Sequence, residues 1–133
     1  MTGAPQPVRH RLPAMARLRT ARHFQRVYQR GARATGEWVT VVALRARSGQ
    51  GARLGVSVSK DHGAAVRRNK IKRLLREAFR LERHRLPPDL DVVLIPRQQQ
   101  RPLVLASLRR EIVQLCTRIA EGRGRANDRR SAP

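Results

Sequence analysis

The chain has 133 residues, enough for one domain with a real core and too few for two. Its 30 Lys and Arg against 9 Asp and Glu give a formal net charge of +21, a field that repels itself until a polyanion neutralises it. A single cysteine excludes an internal disulfide framework, the basic N-terminus is followed by no continuous apolar segment, and no stretch approaches the roughly 20 apolar residues of a membrane span. The expectation is a soluble cytoplasmic protein that binds an acidic partner and no membrane.

Residues 1–19 carry three prolines, few large apolar side chains and several arginines, and most of this segment, 1–14, reads as a mobile basic arm. Thr20 can cap a short helix in which Phe24, Val27 and Tyr28 share one face at i, i+3 and i+4, and Gly31 stops it. A short strand is expected near residues 33–36. The Val-, Trp- and Leu-rich run from Glu37 to Arg47 reads as a strand, and SGQG at 48–51 turns it into ARLGVSVS at 52–59, giving a predicted hairpin. In the second run Leu54, Val56 and Val58 alternate with Gly55, Ser57 and Ser59, as for a sheet with one face packed on helices.

The segment Val66 to Arg83 is the most informative. At about 100° per residue, Ile71, Leu74, Leu75, Ala78, Phe79 and Leu81 fall in one arc, while Asn69, Lys72, Arg73, Arg76, Arg80 and Arg83 fall in the opposite one. Arg67, Arg68 and Lys70 stand at the helix entrance, where unpaired backbone N–H groups and the macrodipole favour an anion. A solvated charged face would alternate sign to gain i,i+4 pairs, yet only Glu77 and Glu82 interrupt these cations. Arg outnumbers Lys by 27 to 3 in the whole chain, which favours bidentate contacts to phosphate. A nucleic-acid backbone is the expected ligand of this helix.

The helix ends before Pro87-Pro88 and leads into DVVLIP at 91–96, a predicted buried strand. Strand, helix and strand in this order suggest a crossover between parallel strands, right-handed by the general rule. After a polar loop at 98–102, Leu105, Leu108, Ile112, Leu115, Cys116 and Ile119 make one face of a closing helix within 103–121, with Cys116 as a buried, inert thiol. Residues 122–133 read as a disordered basic tail. The predicted order α-β-β-β-α-β-α within a single domain at 15–121 is an α+β fold, a small two-layer sandwich.

The stretch LGVSVSKDHGAAVRRNKIKRLLREAFR, Leu54 to Arg80, resembles the signature region of the bacterial ribonuclease P protein subunit. The Gly-Val-Ser-Val-Ser-Lys strand, the Gly-x-Ala-Val turn and the Arg-Asn-Arg-Ile-Lys-Arg-like helix follow in the family's order, with Lys70 in place of the second arginine of the Arg-Asn-Arg core. HFQRVYQRG at 23–31 is similar to the family's first helix and DVVLIPR to its last strand. The resemblance implies a left-handed crossover, contrary to the general rule. It also implies an accessory subunit of an endoribonuclease: a catalytic RNA, with magnesium ions, removes the 5′ leader of precursor tRNA, and the protein binds that RNA and the leader.

By this resemblance Arg67, Arg68, Asn69, Lys70, Lys72, Arg73, Arg76 and Arg80 contact the catalytic RNA. A cleft between the first helix and the sheet, with Phe24, Tyr28, Val39, Val42 and Lys60, receives the single-stranded leader. Aromatic residues are few there, with Val39, Val41 and Val42 on the strand where stacking side chains are expected. The protein is expected to act as a monomer in the holoenzyme, to contribute no catalytic residue and to bind no cofactor by itself.

A self-sufficient nuclease needs a carboxylate cluster for metal ions or a positioned acid and base. Asp89 and Asp91 adjoin the Pro-Pro corner and suit turn and strand-entry roles, and His10, His23, His62 and His84 lack metal-ligand spacing. A ribosomal or chaperone-like RNA-binding protein shares the charge. The ordered strand, turn and basic-helix signature separates the two readings.

Overall fold

The structure, a computed structural model, describes residues 16–18, 20–46, 49 and 51–122. The expected arm at 1–14 and, apart from Gly122, the expected tail at 122–133 lie outside the described residues, as do Ser48 and Gln50 of the SGQG turn.

Helix α1 spans Ala21–Arg30, and its start follows from chemistry: the Thr20 hydroxyl accepts a hydrogen bond from the His23 N–H at 3.2 Å. At its end the Gly31 N–H returns to the Val27 carbonyl at 2.8 Å. Strands β1 (Ala32–Thr35), β2 (Val39–Arg45), β3 (Arg53–Val56) and β4 (Leu90–Pro96) form one sheet in the order β1-β2-β4-β3. Helix α2 (Ala65–Glu82) connects β3 to β4, and α3 (Leu105–Ala120) closes the fold.

The predicted hairpin between the second and third strand segments is not formed. The antiparallel partners of β2 are β1, with Ala34 opposite Val41, and β4, paired from Val39–Pro96 to Arg45–Leu90. Strand β4 lies between β2 and β3 and pairs with β3 in parallel, Leu54 opposite Val92. The physical reason is burial. Val92, Val93 and Leu94 are completely buried, so β4 is apolar on both faces and takes the interior position, whereas β3 contributes only four residues at an edge.

The sheet has unequal faces. Val39, Val41 and Ala43 of β2, Val92 and Leu94 of β4 and Leu54 of β3 pack into one large core with Leu75, Ala78 and Phe79 of α2 and Leu108, Ile112, Leu115 and Cys116 of α3. Burial pushes the Cys116 thiol up to about 12, in keeping with an inert core residue. On the other face Val42 and Val93 are covered by Val27 of α1 and by Leu18, with Phe24, Tyr28, Leu44 and Ile95 half-buried around them. The Leu18 N–H donates to the Leu54 carbonyl at 2.8 Å, tying residues 16–18 to the β3 edge.

The buried stripe of α2 is Leu75, Ala78, Phe79 and Glu82, rotated slightly from the predicted apolar arc: Glu82 is inside and Leu81 half-exposed. Glu82 is tolerated there because its Oε2 accepts from Arg109 Nε at 2.6 Å, with Arg85 Nε 3.5 Å from its other oxygen. Asp91 is likewise buried, and accepts both prongs of the Arg53 guanidinium at 2.8 and 2.7 Å, which raises the Arg53 pKa. The third structural carboxylate is Glu111 on α3. It accepts from the backbone N–H groups of Glu37, Trp38 and Val39 at 2.7, 2.9 and 3.0 Å, clamping the β1–β2 turn onto the helix.

Candidate nucleic-acid interface

The basic surface is built from the turn that precedes α2. After β3 the chain forms a 3₁₀ turn at Lys60–His62, and His62 Nε2 lies 3.2 Å from the Pro96 carbonyl. Gly63 then takes φ +118°, a left-handed conformation that a side chain would strain. A Cβ on Gly63 would also stand 2.9 Å from Arg67 Cδ. The Gly63 carbonyl accepts from Arg68 Nε at 3.1 Å, so this glycine anchors Arg68 and leaves room for Arg67 at the helix entrance.

No side chain caps the α2 N-terminus: Ala64 occupies the cap position, and the first turn holds no acidic residue. The positive end of the helix dipole is left to an external anion. Arg67, Asn69, Lys70, Arg73 and Arg76 are exposed, with Arg68 and Lys72 half-buried beside them. The ion pairs among the described residues are Arg53–Asp91, Arg80–Glu77, Arg85–Glu82, Arg101–Glu37 and Arg109–Glu82, so none engages these entrance cations. Partial burial and then the positive charge of Arg17 depress the Arg76 pKa. Two guanidiniums sharing one neighbourhood attract a phosphate.

At the other end of α2 the charge is already spent. Arg80, grouped by the sequence with the open stripe, is half-buried and forms a two-pronged pair with Glu77 at 3.0 and 2.7 Å. The Arg83 Nε donates to the Ala52 carbonyl at 2.8 Å. The structure therefore divides the predicted contacts into an open group at 67–76 and a neutralised Arg80.

The second predicted surface lies across the sheet, beside α1. Phe24 and Tyr28 are half-buried on the helix face toward the sheet, and Phe24 rests on β3: a Cβ on Gly55 would stand 2.5 Å from its ring. This close approach explains the glycine within the strand. Val42 is on the same side but completely buried under Val27, so it supports the cleft from below. Val39 is a correction. It lies in the opposite layer, packed in the core with α2 and α3 and fully buried, because residues three apart on a strand face opposite sides. Trp38 also belongs to that core, beneath the Arg101 guanidinium at 4.7 Å from the ring centroid.

Lys60 is exposed in the 3₁₀ turn after β3. Sequence reasoning missed Leu44 and Ile95, half-buried on the α1 face, and the paired hydroxyls of Thr35 and Thr40, 3.1 Å apart. The alternation of β2 and β4 is the signal that could have found them. Among the described residues, no three His, Cys, Asp or Glu side chains come together in a group suited to a metal ion. No helix of the described residues is long and apolar enough to cross a membrane.

An α+β sandwich carrying a helix with an uncapped, unpaired basic entrance on one layer and a half-covered sheet on the other is the architecture of a small RNA-binding protein. Comparison with known proteins agrees. The profile of the family Ribonuclease P matches residues 12–120. The ribonuclease P protein component of Desulfovibrio desulfuricans is 39% identical over 115 residues, covering 84% of this chain and 88% of the relative. That of Desulfatibacillum aliphaticivorans is 41% identical over 110 residues, covering 80% and 89%. The structure of the RNase P protein from Thermotoga maritima superposes with a TM-score of 0.69 at 32% identity, over 77% of this chain and 96% of the other. The Staphylococcus aureus RNase P protein gives 0.66 at 30% identity, over 80% and 95%. The chain belongs to the ribonuclease P protein component family, and its partner is the ribonuclease P RNA.

Proposed function

We propose that the chain assists the catalytic RNA of ribonuclease P in endonucleolytic removal of the 5′ leader from precursor tRNA, in the cytoplasm and as one copy per holoenzyme. The entrance of α2, with Arg67, Arg68, Asn69, Lys70, Lys72, Arg73 and Arg76, binds the catalytic RNA. The open side of the sheet, beside Phe24 and Tyr28 and extending to Lys60, receives the single-stranded leader. The observation that carries this reading is the contrast along α2: the cations at 67–76 are left out of every ion pair among the described residues, while Arg80, Arg85 and Arg109 around the exit of the helix are held by Glu77 and Glu82.

In this reading the chemistry resides in the RNA and its magnesium. Among the described residues no three His, Cys, Asp or Glu side chains come together as metal ligands. The protein acts by neutralising phosphates that would otherwise repel one another, and by holding the leader through backbone and apolar contacts. Fewer aromatics in the cleft mean less stacking, where each base on an aromatic side chain contributes about 1–3 kcal/mol.

The test is cleavage of precursor tRNA at low magnesium by the catalytic RNA of the same organism, with the protein, without it, and with the protein alone. Stimulation of the RNA with no cleavage by the protein alone is the expected result. Tight RNA binding without stimulation would instead favour a ribosomal or chaperone role, and cleavage by the protein alone would place an active site in the chain.

A further inference from the structure

A cavity of about 260 Å³ opens beside the entrance of α2, where Arg67 and Lys70 meet the loop that leads from β4 to α3. Its floor is apolar, made by Ile71 and Leu74 of the helix and by Leu103 of the loop, all half-buried against the main core. Arg97, Gln99 and Arg101 form the far wall.

That wall is fixed before any ligand arrives. Arg97 Nη1 donates to the Gly36 carbonyl at 2.6 Å, Gln99 Nε2 donates to the Glu37 carbonyl, and Arg101 pairs with the Glu37 carboxylate while lying over Trp38. The turn they grip is itself held by Glu111. The opposite wall differs, since Arg67 and Lys70 are exposed and enter none of the ion pairs among the described residues. Apolar surface and unpaired cations thus converge at one place on the molecule.

Simple phosphate-backbone contact requires the cations but not the apolar floor. We infer that this cavity receives a single unstacked nucleotide of an RNA, its base lying on Ile71, Leu74 and Leu103 and its phosphate held by Arg67 and Lys70. The inference rests on the proposed RNA-binding role of α2 and adds a base contact to it. An aliphatic floor covers the face of any base and offers no hydrogen-bond code, so the site favours an unpaired nucleotide, larger purines over pyrimidines, and not a particular sequence. A peptide would have to be acidic and apolar at once to match the walls and the floor, whereas every nucleotide pairs an anionic phosphate with the apolar face of a base.

The experiment is methyl and amide NMR of the full-length wild-type protein titrated with adenosine 5′-monophosphate and, separately, with inorganic phosphate. Both ligands should shift amides at Arg67 and Lys70, and the nucleotide alone should shift the methyl groups of Ile71, Leu74 and Leu103. Identical patterns from the two ligands would reduce the site to an anion site and overturn the base contact, as would methyl shifts confined to other parts of the molecule. In parallel, Leu103→Ala should weaken binding of the catalytic RNA by about three- to tenfold, in proportion to the apolar area removed, with an unchanged salt slope. If the wild type binds that RNA with a steep salt slope while Leu103→Ala binds equally well, the pocket is overturned and the basic-face reading stands. If the wild type itself shows no salt-dependent binding of the catalytic RNA, the basic-face reading falls and the base contact that rests on it falls too. Unfolding of Leu103→Ala, monitored by circular dichroism, leaves the wild-type titration as the deciding measurement.

Discussion

The two ends of α2 carry the same kind of residue and do opposite things. At the entrance Arg67, Lys70, Arg73 and Arg76 are exposed and outside every ion pair among the described residues, while at the exit Arg80 is held by Glu77 and the buried Glu82 holds Arg109, with Arg85 close by. A count of charges treats these ends alike. What distinguishes a ligand-binding cation from a structural one is whether a carboxylate already neutralises it, and that depends on where the helix is rotated against its core.

The largest effect should come from stripping the open end. Replacing Arg67, Lys70, Arg73 and Arg76 together by alanine should lower the slope of log affinity for the catalytic RNA against log salt by roughly 3, at about 0.7–0.9 per phosphate neutralised, with the fold intact. Binding measured from low to moderate salt tests this, and an unchanged slope would erase the distinction between the ends. Glu111→Ala should destabilise the protein by about 3 kcal/mol, since three backbone N–H groups lose their acceptor together. Denaturant unfolding reads this loss, and wild-type stability would show that the clamp contributes little. Glu82→Ala should cost about 2 kcal/mol, less than a fully buried pair because Arg109 can turn to water, and its RNA salt slope should not fall. Should the slope of that variant decline instead, the exit end would belong to the interface. Arg80→Ala is the smallest change: about 0.5 kcal/mol for its partly exposed pair, and a drop in salt slope smaller than one neutralised phosphate accounts for. A drop there of about 0.7–0.9 would return Arg80 to the open group.

Local pattern made the helices legible. The basic segment read as Val66 to Arg83 is α2 at Ala65–Glu82, and the closing helix and the extra strand near 33–36 are present at Leu105–Ala120 and Ala32–Thr35. Pairing was not legible, because β2 could be joined to β3 on turn residues alone, while the actual partner lies some fifty residues further on. Val39 does not belong to the leader cleft, and its spacing of three from Val42 already puts the two on opposite faces. Glu82 likewise had a readable position, four residues after Ala78 and three after Phe79, on the buried stripe. Glu111 offered no such cue. Its partners are backbone groups 72–74 residues away, and a helical glutamate among polar neighbours looks solvated until the fold brings the turn to it.

The placement of β4 also has a consequence in time. The strand at the middle of the sheet is the last strand to be synthesised, so as the chain grows from its N-terminus β2 has only the four-residue β1 beside it, and β3 has no interior neighbour, until residues 90–96 arrive. A two-stranded ribbon of this size is marginal in water. The signature segment at 54–80 therefore leaves the ribosome before the core that shapes it exists, and a chain interrupted anywhere upstream of β4 presents basic residues without a scaffold. Assembly of the domain is a late, long-range event of high contact order, which makes it slower than its helix content alone would suggest.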